Sequence, residues 1–351
     1  MNQLYFMFSI FLLLFFYSNF FFICSSIPDH TKNISSNINA ETNSTFLDEK
    51  IPICLNNLLN KQKDEDFNIP RTLYNTSLLA SRKHSRYSCR LLKYSVKRAV
   101  ACLDILNKEQ ELFKNHFSNN PKELHFVFMG DSRIRQQFFN FLRLIPDYDQ
   151  KTQPDPMPFY IHEDMDFTSA MLRLRVSFKW RPLINKNVTD TIRQWTKSPL
   201  LNQPDWILLS MEVHHMLKSN GADYNRYLHE LIELSSVLGE FAKHSQVIWL
   251  NQYPTIDPAH WDVFSEKIHR YNEGIRSYLN MYSNVRIWDS SNIFVEEYVR
   301  SCAVFSERET SGEFSLQYIS CRDYIHTGYS ALSEATQLLF NEICNPSSQS
   351  S

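Results

Sequence analysis

The sequence predicts an α/β fold in which helices cover both faces of a central parallel sheet. Short apolar runs at 124–129, 206–209 and 246–250 are typical of strands that are buried on both faces. Between the last two runs, residues 224–242 have the 3.6-residue spacing of a helix. Since strand and helix patterns alternate along the chain, we expect three layers, α/β/α.

The other elements extend this alternation. An apolar stripe predicts a helix at 134–145, directly after the first strand and its turn, and alternating polarity predicts a half-buried strand at 172–178. A helix at 263–282, a strand at 285–288 and a closing helix from about 330 to 343 complete the pattern.

Three turns are expected to lie together at one rim of the sheet. They follow predicted strands and cover residues 130–132, 210–215 and 251–254. Because the active sites of such folds lie at the carboxyl ends of the strands, this rim is the place to look for chemistry.

Composition limits the classes of partner. The chain has 351 residues, of which 43% are hydrophobic, and this is enough for a sizeable core. Its 36 Lys and Arg residues balance 38 Asp and Glu residues, so no strong field selects a polyanion. The sequence therefore gives no support for a nucleic acid partner.

The chain begins with an apolar, Phe-rich run. Residues 1–26 are interpreted as a signal peptide, since Cys24-Ser25-Ser26 provides small residues for cleavage, or as an uncleaved signal anchor, since the run is long enough to span a bilayer. A flexible Ser- and Asn-rich stem follows at 27–50. Both interpretations place the rest of the chain in the secretory lumen or outside the cell.

The rest of the chain is divided into an extension at 51–123, a main domain at 124–345 and a tail at 346–351. Beyond the leader, an even set of cysteines is expected to form disulfides that pin the extension, with the pairing left open and buried free thiols as the alternative. These are Cys54, Cys89, Cys102, Cys302, Cys321 and Cys344. Glycosylation sequons start at Asn33, Asn43, Asn75 and Asn187.

Gly130-Asp131-Ser132 forms the turn after the first strand. It places Ser132 near a helix N-terminus, where free backbone N–H groups and the helix dipole stabilise a developing negative charge. This is a suitable place for a nucleophile. The alternative is a plain capped helix start, with Asp131 or Ser132 as the N-cap.

Asp323-Tyr324-Ile325-His326 stands directly before the closing helix. A serine hydroxyl needs a base to accept its proton, and imidazole suits that task near neutral pH. The imidazole in turn needs a carboxylate to orient it. One loop therefore supplies both groups, unless His326 is an ordinary loop histidine.

The order of these motifs, a serine after the first strand and Asp-x-x-His before the last helix, is that of the SGNH esterases. Gly-Asp-Ser-Arg-Ile-Arg-Gln at 130–136 resembles the nucleophile motif of the eukaryotic sialic acid O-acetyltransferase family, whose lumenal catalytic domain belongs to the PC-esterase branch of the SGNH superfamily. Further similarities are Cys89 and Cys102 with Lys93-Tyr94 between them, 178–182, 192–196, 252–254 and Cys344-Asn345.

The resemblance implies an SGNH-hydrolase-like fold and an acetyl-enzyme route. Ser132 is then the nucleophile, His326 the base and Asp323 its partner. Acetyl-CoA is the expected acetyl donor, and a glycan hydroxyl, with sialic acid favoured, is the expected acceptor. Two alternatives remain: a carbohydrate O-acetylesterase with the same triad, and a glycan-binding relative without catalysis. No metal ligand set is recognised.

The residues that stabilise the oxyanion cannot be carried over from the wider superfamily, because residues 209–215 lack the Gly and Asn that it uses. Besides the Ser132 N–H and the turn residues Gly130 and Asp131, the candidates for oxyanion or substrate contacts are Arg133, Arg135, His214, His215 and Gln252. The two arginines also suit an anionic ligand, either a sialic acid carboxylate or the phosphates of coenzyme A, and the alternative is that both are solvated helix residues.

The resemblance also implies a place in the cell. We expect the Golgi lumen, with a single N-terminal anchor, or secretion. The chain has no second apolar segment long enough to cross a bilayer, unlike the sialic acid enzyme with its multi-span module. It is therefore expected to be a stand-alone catalytic domain or an incomplete gene model.

Overall fold

A computed structural model describes residues 92–114, 122–158, 161–255, 262–289, 295–296, 298–299, 302, 325–327 and 329–344. In this part of the chain, seven strands form one sheet in the order β2-β3-β4-β1-β5-β6-β7. The strands are β1 Leu124–Gly130, β2 Lys151–Gln153, β3 Met165–Ser169, β4 Leu174–Trp180, β5 Trp206–Ser210, β6 Gln246–Leu250 and β7 Val285–Trp288.

Helices lie on both faces of the sheet. They are α1 Val96–Lys114, α2 Ser132–Leu142, α3 Lys186–Lys197, the single turn α4 Val213–Met216, α5 Tyr224–Phe241, α6 Ser265–Leu279 and α7 Tyr329–Ile343, with 3-10 turns at Leu200–Asn202 and Lys218–Asn220. Residues of α1, α2 and α7 form one core cluster, and residues of α3, α5 and α6 form the other. The predicted three-layer α/β/α fold is confirmed.

Strand β1 shows why a central strand could be predicted from an apolar run in the sequence. Phe126 and Phe128 pack into the core on the α2 side, while Val127 and Met129 pack into the core on the α5 side. All four side chains are fully buried. A central strand that is buried on both faces has no polar face, and it therefore reads as a continuous apolar run.

The sheet is mixed rather than wholly parallel. Strands β4, β1, β5, β6 and β7 are parallel, but β3 pairs antiparallel with β4, and β2 pairs antiparallel with β3. A tight turn at 170–173 joins β3 to β4, and the N–H of Arg173 donates to the carbonyl of Ala170 across it. Because this turn occupies 170–173, β4 begins at Leu174, two residues later than the alternating pattern predicts.

The predicted extension at 51–123 contributes α1 to the main core. Leu103 and Leu106 of α1 are buried in the same cluster as Phe126. Cys102 forms a disulfide with Cys344 at the end of α7, which links residues 242 positions apart. This bond confirms that a disulfide pins the extension to the domain.

Of the other cysteine and glycosylation candidates, the structure describes Cys302 and Asn187. Cys302 is also disulfide-bonded. Asn187 is exposed, in the first turn of α3. Outside the described residues lie the leader, the stem and the candidates Cys54, Cys89, Cys321, Asn33, Asn43 and Asn75. Within the described ranges, no helix is both long and apolar enough to cross a membrane.

The turn that carries Ser132 requires glycine at position 130. Gly130 has φ +150°, and a Cβ placed there would lie 1.8 Å from the carbonyl oxygen of Ser210 on β5. Any side chain at position 130 is therefore excluded, both by the backbone conformation and by the neighbouring strand β5. Gly221 has a φ of +89° with no atom within 4 Å of such a Cβ, so it provides a matched control.

We expect Gly130→Ala to lower the free energy of unfolding by about 3 kcal/mol or more. The cost of the backbone strain at position 130 is added to the cost of the collision between the new Cβ and the Ser210 carbonyl. In Gly221→Ala only the backbone strain applies, so the free energy of unfolding should fall by about 1 kcal/mol. Urea denaturation followed by circular dichroism measures both. Equal losses in the two variants would show that the approach of β1 to β5 is not what selects glycine.

Candidate functional site

The rim expected from the sequence is formed by the carboxyl ends of β1, β5 and β6. Gly130 and Ser210 are paired in the sheet register, and the Asp131 N–H donates to the Ser210 carbonyl at 3.1 Å. Directly after β6, the Gln252 side chain donates to Ser210 Oγ at 2.9 Å. The three turns therefore meet at one place.

Ser132 and His326 are brought into hydrogen-bond contact at this rim. Ser132 is the first residue of α2, and its Oγ lies 2.7 Å from Nε2 of His326. The histidine reaches it from the segment just before α7, 194 positions away in sequence. A hydroxyl at a helix N-terminus in contact with an imidazole can act as a nucleophile with an adjacent base. Asp323 lies outside the described residues, so its role stays a prediction.

Asp131 is the N-cap of α2. Its Oδ1 accepts the Arg133 N–H at 2.9 Å, and its Oδ2 accepts Gln252 Nε2 at 3.2 Å. The carboxylate has no exposure to solvent. Asp131 therefore fixes the turn from inside the protein, which agrees with the capping alternative for this residue.

Arg133 is an internal anchor rather than a group that faces solvent. It is 2% exposed, and its guanidinium lies over the Tyr253 ring at 4.0 Å. Nη1 donates to Gln252 Oε1 at 2.9 Å and to the Tyr253 carbonyl at 2.7 Å. Nε donates to the Ile325 carbonyl at 2.8 Å. The Nε and Nη1 donors of Arg133 therefore bond groups inside the protein, one of them next to His326, and a contact of Arg133 with an anionic ligand stays a prediction.

Gln252, a predicted substrate contact, joins the same network. Its amide donates to Asp131 and Ser210 and accepts from Arg133. The residue is 1% exposed. Gln252 thus links the ends of β1, β5 and β6 from within, and its role as a substrate contact stays a prediction.

Arg135 is a buried residue near the start of α2. Its Nη1 donates to the Ile161 carbonyl at 2.8 Å, and its guanidinium is 5.7 Å from the centre of the Trp180 ring. His162 stacks on the same ring at 4.2 Å, and burial together with the charge of Arg135 lowers the pKa of His162. Arg135 therefore helps to fix an aromatic group at the rim.

The two adjacent histidines have different environments because consecutive helical residues point about 100° apart. His215 Nε2 accepts the Ile184 N–H at 2.8 Å, and burial lowers its pKa to about 4. Because Nε2 accepts this hydrogen bond, the proton of neutral His215 is on Nδ1, and its role as an oxyanion or substrate contact stays a prediction. His214 packs edge-on against Trp180 at 5.7 Å.

His214 shares the electrostatic environment of the rim. Burial lowers the pKa of His214, the charge of Asp131 opposes this shift, and His162 and His326 add to it. The charges of Asp131 and His326 therefore act on His214, which stays a candidate for oxyanion or substrate contact.

Glu212 was missed by the sequence analysis. It follows β5, has no exposure to solvent, and its Oε1 accepts the indole N–H of Trp249 at 3.2 Å. Burial raises its pKa to about 8, Asp131 acts in the same direction, and Arg133 and Arg276 oppose it. The signal was present in the sequence as one acidic residue between the apolar Met211 and Val213.

In the described part of the chain, no group of three or more His, Cys, Asp or Glu side chains is arranged to hold a metal ion.

We expect Arg133→Lys to slow the reaction of Ser132 with a fluorophosphonate probe at least about tenfold. A lysine is a point charge and cannot reproduce the planar fork that bonds Gln252, Tyr253 and Ile325 at once. His326 then loses its fixed position beside Ser132. The labelling rate is measured per folded molecule by mass spectrometry.

Arg143→Lys is the matched control, since Arg143 follows the same helix and is exposed. It should label at the wild-type rate. A folded Arg133→Lys protein with unchanged labelling would mean that the guanidinium does not position His326.

We expect Glu212→Gln to raise the melting temperature by a few degrees at pH 9 and to change it little at pH 4.5. The folded-state pKa of about 8 lies above the ordinary value of 4.5, so folding favours the protonated carboxyl. This contribution is complete below pH 4.5 and is lost as the pH rises through about 8. Glutamine is neutral throughout and still accepts from Trp249.

Glu240→Gln serves as the control, because Glu240 is exposed on α5 and pairs with Lys243. Its effect should not depend on pH in this way. If Glu212→Gln changed the melting temperature equally at pH 4.5 and pH 9, the pKa of Glu212 would not differ between the folded and unfolded states.

Comparison with known proteins gives one informative sequence relative. The chain is 27% identical over 205 residues to an N-acetylneuraminate (7)9-O-acetyltransferase of Danio rerio, which covers 55% of this chain and 22% of that relative. The chain therefore spans about a fifth of the length of this relative. No model of a known protein family matches the chain.

Two solved structures illustrate the structural comparison. An acetylxylan esterase from Geobacillus stearothermophilus is 12% identical and has a TM-score of 0.38, with 67% of this chain and 100% of that one covered. A putative GDSL-like lipase from Parabacteroides merdae is 13% identical and has a TM-score of 0.36, with 62% and 94% covered. The sequence relative confirms the resemblance that the motifs at 130–136 predict.

Proposed function

We propose that the protein is an O-acetyltransferase that moves an acetyl group from acetyl-CoA to a glycan hydroxyl, with sialic acid as the acceptor, through an acetyl-Ser132 intermediate. The observation that carries this proposal is the 2.7 Å contact between Ser132 Oγ and His326 Nε2 at the N-terminus of α2. The similarity to the Danio rerio acetyltransferase supports acetyl as the group transferred.

In the first half of the reaction, Ser132 Oγ attacks the thioester carbonyl while His326 accepts the hydroxyl proton. The tetrahedral intermediate breaks its carbon–sulfur bond, and the thiol leaves with the proton that His326 returns. Ser132 is left as an acetyl ester. Asp323 is proposed to orient the ring of His326 and to stabilise its charged form.

In the second half, a sugar hydroxyl attacks the acetyl ester and gives its proton to His326. The carbon–oxygen bond to Ser132 breaks, and Ser132 recovers the proton. Water in place of the sugar would make the protein an esterase. The outcome depends on how well the site holds the acceptor and excludes water.

The local hydrogen bonds point to one backbone donor for the oxyanion. The Asp131 N–H donates to Ser210, and the Arg133 N–H donates to the Asp131 side chain. The Ser132 N–H, at the first position of α2, is then the amide of this turn that can face the oxyanion. His214 is proposed as a second group at this position.

The setting is proposed as well. An oxidising compartment suits the Cys102–Cys344 disulfide. We therefore propose the secretory pathway, with residues 1–26 as a Golgi anchor or as a cleaved signal peptide. The sialylated glycan and coenzyme A are the proposed small-molecule partners.

We expect Ser132→Ala to abolish both acetylation of a sialylated acceptor and release of free coenzyme A from acetyl-CoA, because both depend on one oxygen. Ser277→Ala is the control, since Ser277 is exposed on α6 and donates to Glu273. Acetylated product is followed by mass spectrometry of the acceptor. Equal acetylation by Ser132→Ala and wild type would overturn the proposed function.

A parallel incubation separates the transferase from the esterase. An O-acetylated glycan is supplied without coenzyme A, and free acetate is measured. Acetate release that depends on Ser132, in the absence of transfer from acetyl-CoA, would identify the esterase instead.

A further inference from the structure

We propose that a cavity beside the Ser132 rim is the acceptor-sugar subsite, and that polar side chains of α3 select the acceptor there. This inference rests on the proposed function. The cavity has a volume of about 580 Å³. It is lined by Trp180, Arg181, Pro182, Asn185, Asn187, Asp190, Thr191 and Gln194.

The wall of the cavity begins at the same level of the sheet as the turn before Ser132. Trp180 is the register partner of Gly130, and the N–H of the next residue, Arg181, donates to the Gly130 carbonyl at 2.9 Å. Trp180 also contacts His214, which is one of the rim groups near His326. Trp180 is therefore a wall shared by the rim and the cavity.

The position of Trp180 is fixed before any ligand binds. The His162 ring stacks on it nearly parallel, at an interplanar angle of 5°, and the Arg135 guanidinium lies 5.7 Å from its centre. A preorganised wall lowers the entropic cost of binding, which matters for a sugar ring with few apolar contacts.

The chemistry of the lining suits sugar hydroxyls. The α3 side of the cavity presents amides, a hydroxyl and a carboxylate. Amides both donate and accept hydrogen bonds, as sugar hydroxyls and N-acetyl groups do. The side chain of Asn185 is held in place because it caps α3 by accepting the Val188 N–H at 3.2 Å. Several polar groups converge on a volume large enough for a sugar residue.

The charges favour the acceptor over coenzyme A as the occupant. Arg181 is the one cation among the lining residues, and its guanidinium bonds both oxygens of Asp164 at 2.9 and 3.3 Å. Asp190 is paired with Arg193 at 3.1 Å. A lining with a single, already paired cation is a poor match for several phosphate groups, whereas it tolerates one sugar carboxylate near Arg181.

The subsite conflicts with one sequence prediction. Asn187 starts a glycosylation sequon, and its side chain also lines the cavity. An N-glycan attached there would occupy the space proposed for the acceptor. The subsite therefore requires that Asn187 be unmodified in the active protein, and peptide mass spectrometry should find it so. Full glycan occupancy at Asn187 in active protein would overturn the subsite.

The direct test is Gln194→Trp, which places a bulky ring in the cavity from an exposed position of α3. We expect the KM for a sialylated acceptor to rise at least about tenfold. The rate of acetyl-Ser132 formation from acetyl-CoA alone should stay at the wild-type value. Lys197→Trp, on the same helix but outside the lining, should change neither quantity.

The two proposals fail in distinguishable ways. If acetyl-Ser132 forms and is transferred, but Gln194→Trp leaves the acceptor KM unchanged, the subsite is overturned and the proposed function stands. If acetyl-Ser132 does not form in wild type, the proposed function fails.

In that second case, the cavity is tested by binding alone. Saturation-transfer NMR compares the methyl α-glycoside of N-acetylneuraminic acid with wild type and with Gln194→Trp. Binding that the tryptophan abolishes supports a sugar site, and equal signals in both proteins overturn it.

Discussion

The geometry of the site depends on the buried guanidinium of Arg133. One side chain holds the segment after β6 through Gln252 and Tyr253, and it holds the backbone next to His326 through the carbonyl of Ile325. Burial of a charge is costly unless hydrogen bonds replace its water. Hydrogen bonds from Nε and Nη1 and the ring of Tyr253 replace part of that water, and Gln252, which accepts from Arg133, also donates to the Asp131 carboxylate. A residue adjacent to Ser132 thus holds the backbone next to His326, the proposed base, which comes from 194 positions away.

The elements that could be predicted from sequence are those whose burial imposes a simple period. Strands β1, β5 and β6 read as apolar runs because both faces of the sheet are covered, and α5 was predicted to within a residue at Tyr224–Phe241. The edge was not predictable in this way. Strand β2, Lys151–Gln153, has only three residues and a mostly exposed surface, so it carries no apolar pattern. Its antiparallel pairing with β3 depends on turns rather than on burial.

For the site, the sequence identified residue types but not their roles. Ser132 and His326, the proposed nucleophile and base, were recognisable because each lies in a local motif. The task of Arg133 was not, since its partners lie 119 to 192 positions away and no local spacing encodes them. His214 and His215 look equivalent in sequence, and only the direction of each side chain on α4 separates a rim residue from one that bonds the Ile184 N–H.

The charged groups near Ser132 bear on how an oxyanion would be stabilised in the proposed reaction. Asp131 and Arg133 carry opposite charges and share Gln252, while burial keeps Glu212 mostly protonated at neutral pH. A second negative charge beside Asp131 would oppose the charge that develops when Ser132 attacks a carbonyl. The N-terminus of α2, and His326 once it accepts a proton, would stabilise that charge in the proposed reaction. The dipoles of α2 are fixed by the fold, so in the proposed reaction they would stabilise the transition state without reorganisation.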